Sequence, residues 1–313
     1  MSASWQISLL NQLRPLTRFF YCQQGSGLPR LAEWLRRTVA HSLSGHPELR
    51  NVWIDDCFGN ARFCCDLAEH MGSQIFFRGA YSGEQLPLLD HLLADDSVFF
   101  DIGANQGEFS IYAARLLSRG EVHAFEPVAA IRRRLQNNVS ANNFECVRVH
   151  AYGLSDSAQS NVPIYVGREL TGDGTSNAGL PTLFDTASAS RVVDTIELRV
   201  LDECHADDRV DLMKIDVEGA ELFVLRGARG LISRCRPFII YESNSATFEA
   251  AGYREAEIRE ELADQQYNFF RIGAGGSLQS QAVDSDPADF ANILAVPVEK
   301  LAAVTALVTT VDG

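Results

Sequence analysis

The chain has 313 residues, 46% of them apolar and 22% charged, an ordinary globular composition with room for one α/β domain plus extensions or for two small domains. A formal net charge of −14 speaks against nucleic acid or an anionic membrane as the main partner, because both are held largely through clustered Lys and Arg. Seven cysteines without a C-x-x-C spacing argue against a zinc site or a disulfide framework and fit a reducing, cytoplasmic setting.

Residues 1 to about 90 lean helical, with candidate helices at 4–13, 31–42 and 85–93 separated by Gly25, Gly27, Pro29, Gly45 and Pro47. Arg14, Pro15 and Arg18 come after the first short apolar run, the wrong order for an export signal, and no window is apolar enough to span a bilayer. This stretch carries no chemical motif and is expected to form an N-terminal extension that caps a site or builds a homodimer contact. From 91 to 313 a single domain is expected. Strands at 97–101, 121–125, 146–151, 210–215 and 237–241 alternate with helices, which implies a mainly parallel sheet covered on both faces. A helix at 255–265 and strands at 268–272 and 292–296 follow, the last two suited to an antiparallel pair at the end of the sheet.

The chemistry begins at 98–107, Val-Phe-Phe-Asp-Ile-Gly-Ala-Asn-Gln-Gly, where Asp101 ends an apolar strand and a turn with Gly103 and Gly107 leads into a helix expected over 109–117. Such a turn lets a small ligand lie against bare backbone at the carboxyl end of the strand, where open α/β sheets bind their ligands. Glu126 ends the next strand 25 positions after Asp101, near the spacing that sets a carboxylate on ribose hydroxyls. A dinucleotide fingerprint would need glycines at 103, 105 and 108, but Asn105 and Glu108 stand there. Asp101 would repel a pyrophosphate and attract a cationic amino acid moiety. S-adenosylmethionine, with its ammonium and sulfonium, meets that requirement.

Phe-Asp-Ile-Gly-Ala-Asn-Gln-Gly-Glu at 100–108, Glu126-Pro127, Gly153-Leu154-Ser155-Asp156 and Lys-Ile-Asp-Val-Glu-Gly-Ala-Glu at 214–221 resemble the FkbM-type S-adenosylmethionine-dependent methyltransferases, the last block most specifically. The resemblance covers roughly residues 95–245. It implies a class I, Rossmann-like methyltransferase sheet and methylation of oxygen on a small hydroxylated acceptor, a sugar or polyketide. Asp101, Gly103, Asn105 and Gly107 are then expected at the methionine end, Glu126 at the ribose, and Asp156 at the adenine, with an Asx turn as the bland alternative for Asp156. Glu242 matches an acid of the family pattern and belongs, with Asp216, to the acceptor region.

Methyl transfer is an in-line displacement in which positioning supplies part of the barrier, while an alcohol still needs a base for its proton. Asp216, Glu218 and Glu242 lie at strand ends that converge on the ligand crevice, and Asp216 has the strongest claim to that role. Glu218 is equally well explained as an acid favoured in the first turn of a helix. Lys214 either neutralises these acids or points to the opposite face of its strand; if Asp216 faces the crevice, an unbroken pleat puts Lys214 on the same side, and an ion pair would then keep the acids charged at neutral pH. His205, in a polar connection where a solvated surface histidine is the commoner case, is the remaining candidate base. Two carboxylates without a third ligand are weak grounds for a metal, and none is expected. The glycine-rich segment 171–181 reads as either a lid over the acceptor or a surface excursion. The competing functions are N-methylation and a non-catalytic module that retains the cofactor pocket; acids at four strand ends speak against the module.

Overall fold

The computed structural model describes residues 3–23, 27–43, 51–166, 181–184, 191–283 and 290–309. The chain divides into two compact units, one built mainly from residues 1–81 with 140–142, the other from 82–139, 143–166 and 181–313.

In the first unit, α1 (Ala3–Cys22) and α2 (Leu28–Leu43) are the two expected helices, each longer than its apolar pattern suggests. α1 runs through Pro15, which removes a backbone hydrogen bond and crowds the preceding turn. Contacts to the rest of the unit hold it in place. Arg14 and Arg18 both reach Asp56 Oδ2, at 2.9 and 3.0 Å, and the Thr17 hydroxyl donates to the Phe77 carbonyl at 3.2 Å. The helix-leaning expectation for this region is corrected by an antiparallel hairpin of β1 (Val52–Cys57) and β2 (Ala61–Cys65). Val52, Ile54, Cys57, Ala61, Phe63 and Cys65 are its buried side chains. Asp55 and Asp56, poor strand formers, hide the period of two in the sequence. α3 (His70–Arg78), also unexpected, follows and ends on Gly79 in the left-handed conformation.

The second unit opens with α4 (Leu86–Leu92) and then alternates through β3 (Val98–Ile102), α5 (Glu108–Ala114), β4 (Glu121–Phe125), α6 (Ala129–Ala141) and β5 (Val147–His150). β6 (Gly153–Leu154), β7 (Gln159–Val166) and β8 (Arg191–Arg199) form an excursion before α7 (Leu201–Cys204), β9 (Leu212–Ile215), α8 (Glu221–Arg226), α9 (Arg229–Cys235) and β10 (Phe238–Asn244) resume the alternation. α10 (Ser245–Ala251), α11 (Glu255–Ala263), β11 (Tyr267–Ile272), β12 (Leu278–Gln281) and β13 (Phe290–Pro297) complete it.

The main sheet has the order β12-β11-β13-β10-β9-β3-β4-β5. β10, β9, β3, β4 and β5 are parallel, whereas β13 runs antiparallel to both β10 and β11. This is the expected class I, Rossmann-like sheet with its antiparallel C-terminal pair, extended by β12. Its central strands are short apolar runs buried on both faces. Phe100, Met213 and Ile215 pack with Leu222, Val224 and Leu231 on one side, while Ala124 packs with Leu135 on the other.

The separate sheet β6-β8-β7 was not expected. β7 and β8 are largely exposed, with Val192 and Val193 facing outward, and of their apolar residues only Ile164, Val166, Ile196 and Leu198 are buried. Most of these pack on Val128 and Ile131, and Asp194 of β8 accepts the Ala129 amide at 2.9 Å, capping α6. The lid or excursion anticipated at 171–181 lies, apart from Pro181, outside the described residues. Among the described residues no helix is long and apolar enough to cross a membrane.

β3 has β4 on one side and β9 on the other, so the strand order reverses at β3. Open α/β sheets place their ligand crevice at the carboxyl ends of strands flanking such a point. Asp101 and Asp216 mark those ends.

Candidate active site

After β3 the chain turns through three left-handed residues, Gly103 (φ +76°), Asn105 (φ +50°) and Gly107 (φ +94°). The Gly103 and Ala104 amides donate to the Phe125 carbonyl at 3.1 and 3.0 Å, tying the turn to β4. A Cβ on Gly103 would stand 1.8 Å from the Asp216 carbonyl oxygen, and one on Gly107 would stand 2.5 Å from Leu135 Cδ1. The bare backbone expected to receive a ligand is thus filled at these two points by the protein itself: the glycines let the loops after β3 and β9, and α6, approach closely.

Glu126 braces this turn. It is buried, and its carboxylate accepts the Asn105 amide at 3.1 Å and the Val128 amide at 2.8 Å. Burial pushes its carboxyl up to about 7 against the pull of those amides.

Beneath the turn, Asp101 has no exposed surface. Its Oδ2 accepts the Ser110 hydroxyl at 2.5 Å, while its Oδ1 has no hydrogen-bond partner and lies 3.9 Å from Lys214 Nζ. Lys214 Nζ sits 3.0 Å from Asp216 Oδ2 and donates to the Gly103 carbonyl at 3.1 Å. Burial opposes the charge of Lys214, but Asp216 and Asp101 outweigh it and hold the ammonium above its ordinary value. At the longer distance compensation is weaker, and burial pushes the Asp101 carboxyl up. The expected sharing of one strand side by Lys214 and Asp216 is found.

Carboxylate oxygens of Asp216, Glu218 and Glu242 lie within 4.8 Å of one another, and all three residues are partly buried. Burial first, and then the charge of Asp216 and the other acids, pushes both Glu218 and Glu242 well above the ordinary carboxylate range. The expectation that the Lys214 ion pair keeps the acids charged at neutral pH is therefore corrected for these two. One ammonium faces several carboxyls in a poorly hydrated recess, and it serves Asp216 and Asp101 first.

The alternative role of Glu218 in a helix start is also corrected. α8 begins at Glu221, and Glu218 occupies the preceding turn with φ +52°, a conformation that costs a non-glycine residue about 1–3 kcal/mol and often marks a functional turn. Glu221 is the acid that braces this turn: it accepts the Val217 amide at 2.9 Å, the Gly219 amide at 3.0 Å and the Tyr253 hydroxyl at 3.2 Å. Burial pushes its carboxyl up to about 7. Glu221 lies inside the 214–221 motif block and Ser110 in the helix expected over 109–117, but their partners are distant or on a turn whose shape the sequence does not display. The Thr182 hydroxyl donates to the Glu218 carbonyl at 2.8 Å, a further contact without a sequence signal.

Two of the anticipated residues stand apart. Asp156 is exposed, and its Oδ1 accepts only long contacts from the Ser157 and Ser155 hydroxyls, at 3.3 and 3.4 Å. His205 is buried, contrary to the solvated position expected of it, with Nδ1 2.6 Å from Asp208 Oδ2 and Nε2 2.9 Å from the Tyr152 hydroxyl. Its ring meets Phe100 edge-on, and Phe100 alternates with Asp101 along β3. His205 consequently lies on the sheet face opposite Asp101 and Lys214.

A family model described as the Methyltransferase FkbM domain matches residues 101–269, more than half of the chain. The protein AMB antimetabolite synthetase AmbE of Pseudomonas aeruginosa is 31% identical over 226 residues, covering 61% of this chain and 10% of that protein. Methyltransferase 1 of Beauveria bassiana is 30% identical over 174 residues, covering 51% of this chain and 66% of that protein. This chain thus spans a small part of the first relative and about two thirds of the second. A crystal structure of methyltransferase FkbM from Methylobacillus flagellatus matches with 19% identity and a TM-score of 0.41, over 65% of this chain and 44% of that one. With the glycine turn, the switch-point crevice and the acid-bearing strand ends in place, the chain belongs to the FkbM family of S-adenosylmethionine-dependent methyltransferases.

Proposed function

We propose that this chain is an O-methyltransferase that uses S-adenosylmethionine to methylate a hydroxyl of a sugar or other polyhydroxylated small molecule. The observation carrying this reading is the gathering of Asp216, Glu218 and Glu242 within 4.8 Å beyond β9 and at β10. Such a group suits an alcohol, which must lose a proton to become a useful nucleophile. It suits an amine less well, since the Asp216 carboxylate favours the ammonium form, which has no lone pair to attack with.

The residues fit the cofactor's charge. Asp101 Oδ1 is a buried acceptor without a hydrogen-bond donor, and the crevice residues named here are acids with one lysine already engaged, a donor set for a cation and not for a pyrophosphate. Asp101, Gly103, Asn105 and Gly107 would hold the methionine end, Asp101 by its field from beneath the turn. Glu126 would take the ribose and Asp156 the adenine. When bound, S-adenosylmethionine supplies an electrophilic methyl carbon on a sulfonium.

In this reading Asp216, anchored by Lys214, accepts the proton of the acceptor hydroxyl. Glu242 and Glu218 hydrogen-bond to adjacent hydroxyls and fix the acceptor's orientation. His205, on the other face of the sheet, takes no part.

The test is release of S-adenosylhomocysteine by the full chain across a panel of sugars and polyols and a matched panel of their amino analogues. Turnover with hydroxylated acceptors, lost in Asp216→Asn while calorimetric binding of S-adenosylmethionine persists, supports the reading. Turnover confined to the amino analogues overturns it.

A further inference from the structure

On the sheet face away from Asp101, three imidazoles surround a common point. His123 of β4, His150 of β5 and His205, which follows α7, each bring a ring nitrogen within 4.8 Å of the other two. Their ring centroids stand 5.2, 5.2 and 5.5 Å apart. Imidazoles bound to one tetrahedral ion, with metal–nitrogen distances of about 2.0–2.1 Å, have centroids separated by roughly 5 Å.

The outer contacts of the rings decide which nitrogens point inward. His205 Nδ1 faces Asp208 Oδ2 at 2.6 Å, His123 Nε2 faces Glu121 Oε2 at 3.4 Å, and His150 Nδ1 faces the Tyr152 hydroxyl at 3.2 Å. Arg148 holds Glu121 with two hydrogen bonds, at 2.9 and 2.8 Å. When each ring donates its N–H outward to these oxygens, the lone pairs of His123 Nδ1 and His150 Nε2 remain, and that of His205 Nε2 receives the Tyr152 hydroxyl at 2.9 Å, which would turn away when an ion binds. Two of these, on His123 and His150, are already 3.2 Å apart, close to the roughly 3.3 Å between ligand atoms of a tetrahedral zinc. A histidine ligand whose far nitrogen is fixed by a carboxylate or other oxygen is the usual arrangement at metal sites.

Hydrogen counting points the same way. Glu121, His123, His150, Tyr152, His205 and Asp208 form a chain of five contacts. Three neutral rings and one hydroxyl bring four hydrogens, so with every ring donating outward the His123–His150 contact has none, and either a proton on one of these rings or a bound metal ion would fill it.

We propose that His123, His150 and His205 form a three-histidine site for a divalent transition cation of the zinc type, separate from the methyl-transfer crevice. The ion would fasten β5, the edge strand of the main sheet, to β4 and to the segment after α7. Neutral imidazoles favour such an ion over magnesium, which takes oxygen ligands.

The test uses the full chain, stripped with EDTA and titrated with zinc and, separately, cobalt. One equivalent of cobalt should give visible d–d absorption, and zinc should displace it and raise the melting temperature, with excess magnesium not competing. His150 is only partly buried, so His150→Gln is the variant of choice; it should weaken zinc binding at least about tenfold. Asp216→Asn should bind zinc as the parent does. Zinc-edge X-ray absorption on the parent needs no variant to fold and should show a shell of imidazole nitrogens. Absence of zinc binding, unchanged binding in His150→Gln, or a shell of sulfur or of oxygen alone overturns the proposal.

Discussion

Lys214 Nζ lies 3.0 Å from Asp216 Oδ2 across the end of β9, and the same ammonium is the nearest counter-charge of the fully buried Asp101 at 3.9 Å. One lysine therefore links the glycine turn proposed for the cofactor to the proposed proton acceptor. Replacing it with methionine strands a buried carboxylate, a loss of about 3–5 kcal/mol. Chemical denaturation checks this, and Lys214→Met combined with Asp101→Asn should cost less than the two changes summed, because the pair is coupled.

Asp216→Asn should lower turnover by about 10²–10⁴-fold, the usual contribution of general base catalysis. Binding of S-adenosylmethionine should stay within a few-fold of the parent. Comparable losses in kcat and in cofactor affinity would instead assign Asp216 to binding.

Glu242 is held above its ordinary range by burial and then by Asp216, Glu218 and Glu221. Glu218→Gln removes one repelling neighbour, so Glu242 should ionise at lower pH. Any limb of the pH–rate profile that follows Glu242 should move toward acid in that variant. A shift toward alkali would contradict the electrostatic account of the cluster.

Stability should also respond to pH. Glu126 and Glu221, both pushed from 4.5 up to about 7 by burial, bind a proton in the folded chain over a range where the unfolded chain has released it. Folding then takes up protons, and the contribution of each is lost as pH rises from about 4.5 through 7. His123 and His150, lowered from 6.5 chiefly by burial, act in the opposite sense, but only below that value. Between pH 6.5 and 8 the carboxyls should dominate. Urea unfolding without cofactor should show a fall of about 1–2 kcal/mol from these two groups across that interval, and a rise would contradict the burial of these acids.

Gly103→Ala and Gly252→Ala separate backbone strain from collision. Both glycines have positive φ, +76° and +83°, but a Cβ at 252 meets nothing within 4 Å while one at 103 would strike the Asp216 carbonyl oxygen. Gly252→Ala should cost about 1 kcal/mol. Gly103→Ala should cost at least about 3 kcal/mol or prevent folding, since neither backbone can yield. Equal costs by chemical denaturation would show that the turn relaxes.

What was legible in the sequence follows from local pattern. Val98–Ile102, Glu121–Phe125 and Leu212–Ile215 are short, nearly continuous apolar runs bounded by turn residues, because both faces of a central parallel strand are buried. With the acids and glycines after them they determined the sheet, its order of chemistry and the family. The strands Gln159–Val166 and Arg191–Arg199 were not legible, since few of their side chains are buried, nor was the hairpin of Val52–Cys57 and Ala61–Cys65, whose alternation Asp55 and Asp56 interrupt.

Only the tertiary structure decided which acid does what. Glu218 and Glu221 are three positions apart and chemically alike, yet the turn at Glu218 sends one carboxyl toward Asp216 and Glu242 and folds the other back onto the Val217 and Gly219 amides. His123, His150 and His205 come from separate segments, and no spacing announces their meeting. A sequence displays the types of groups and their local periodicity; charge state and partnership depend on distances and burial, which exist only once distant strands have been packed side by side.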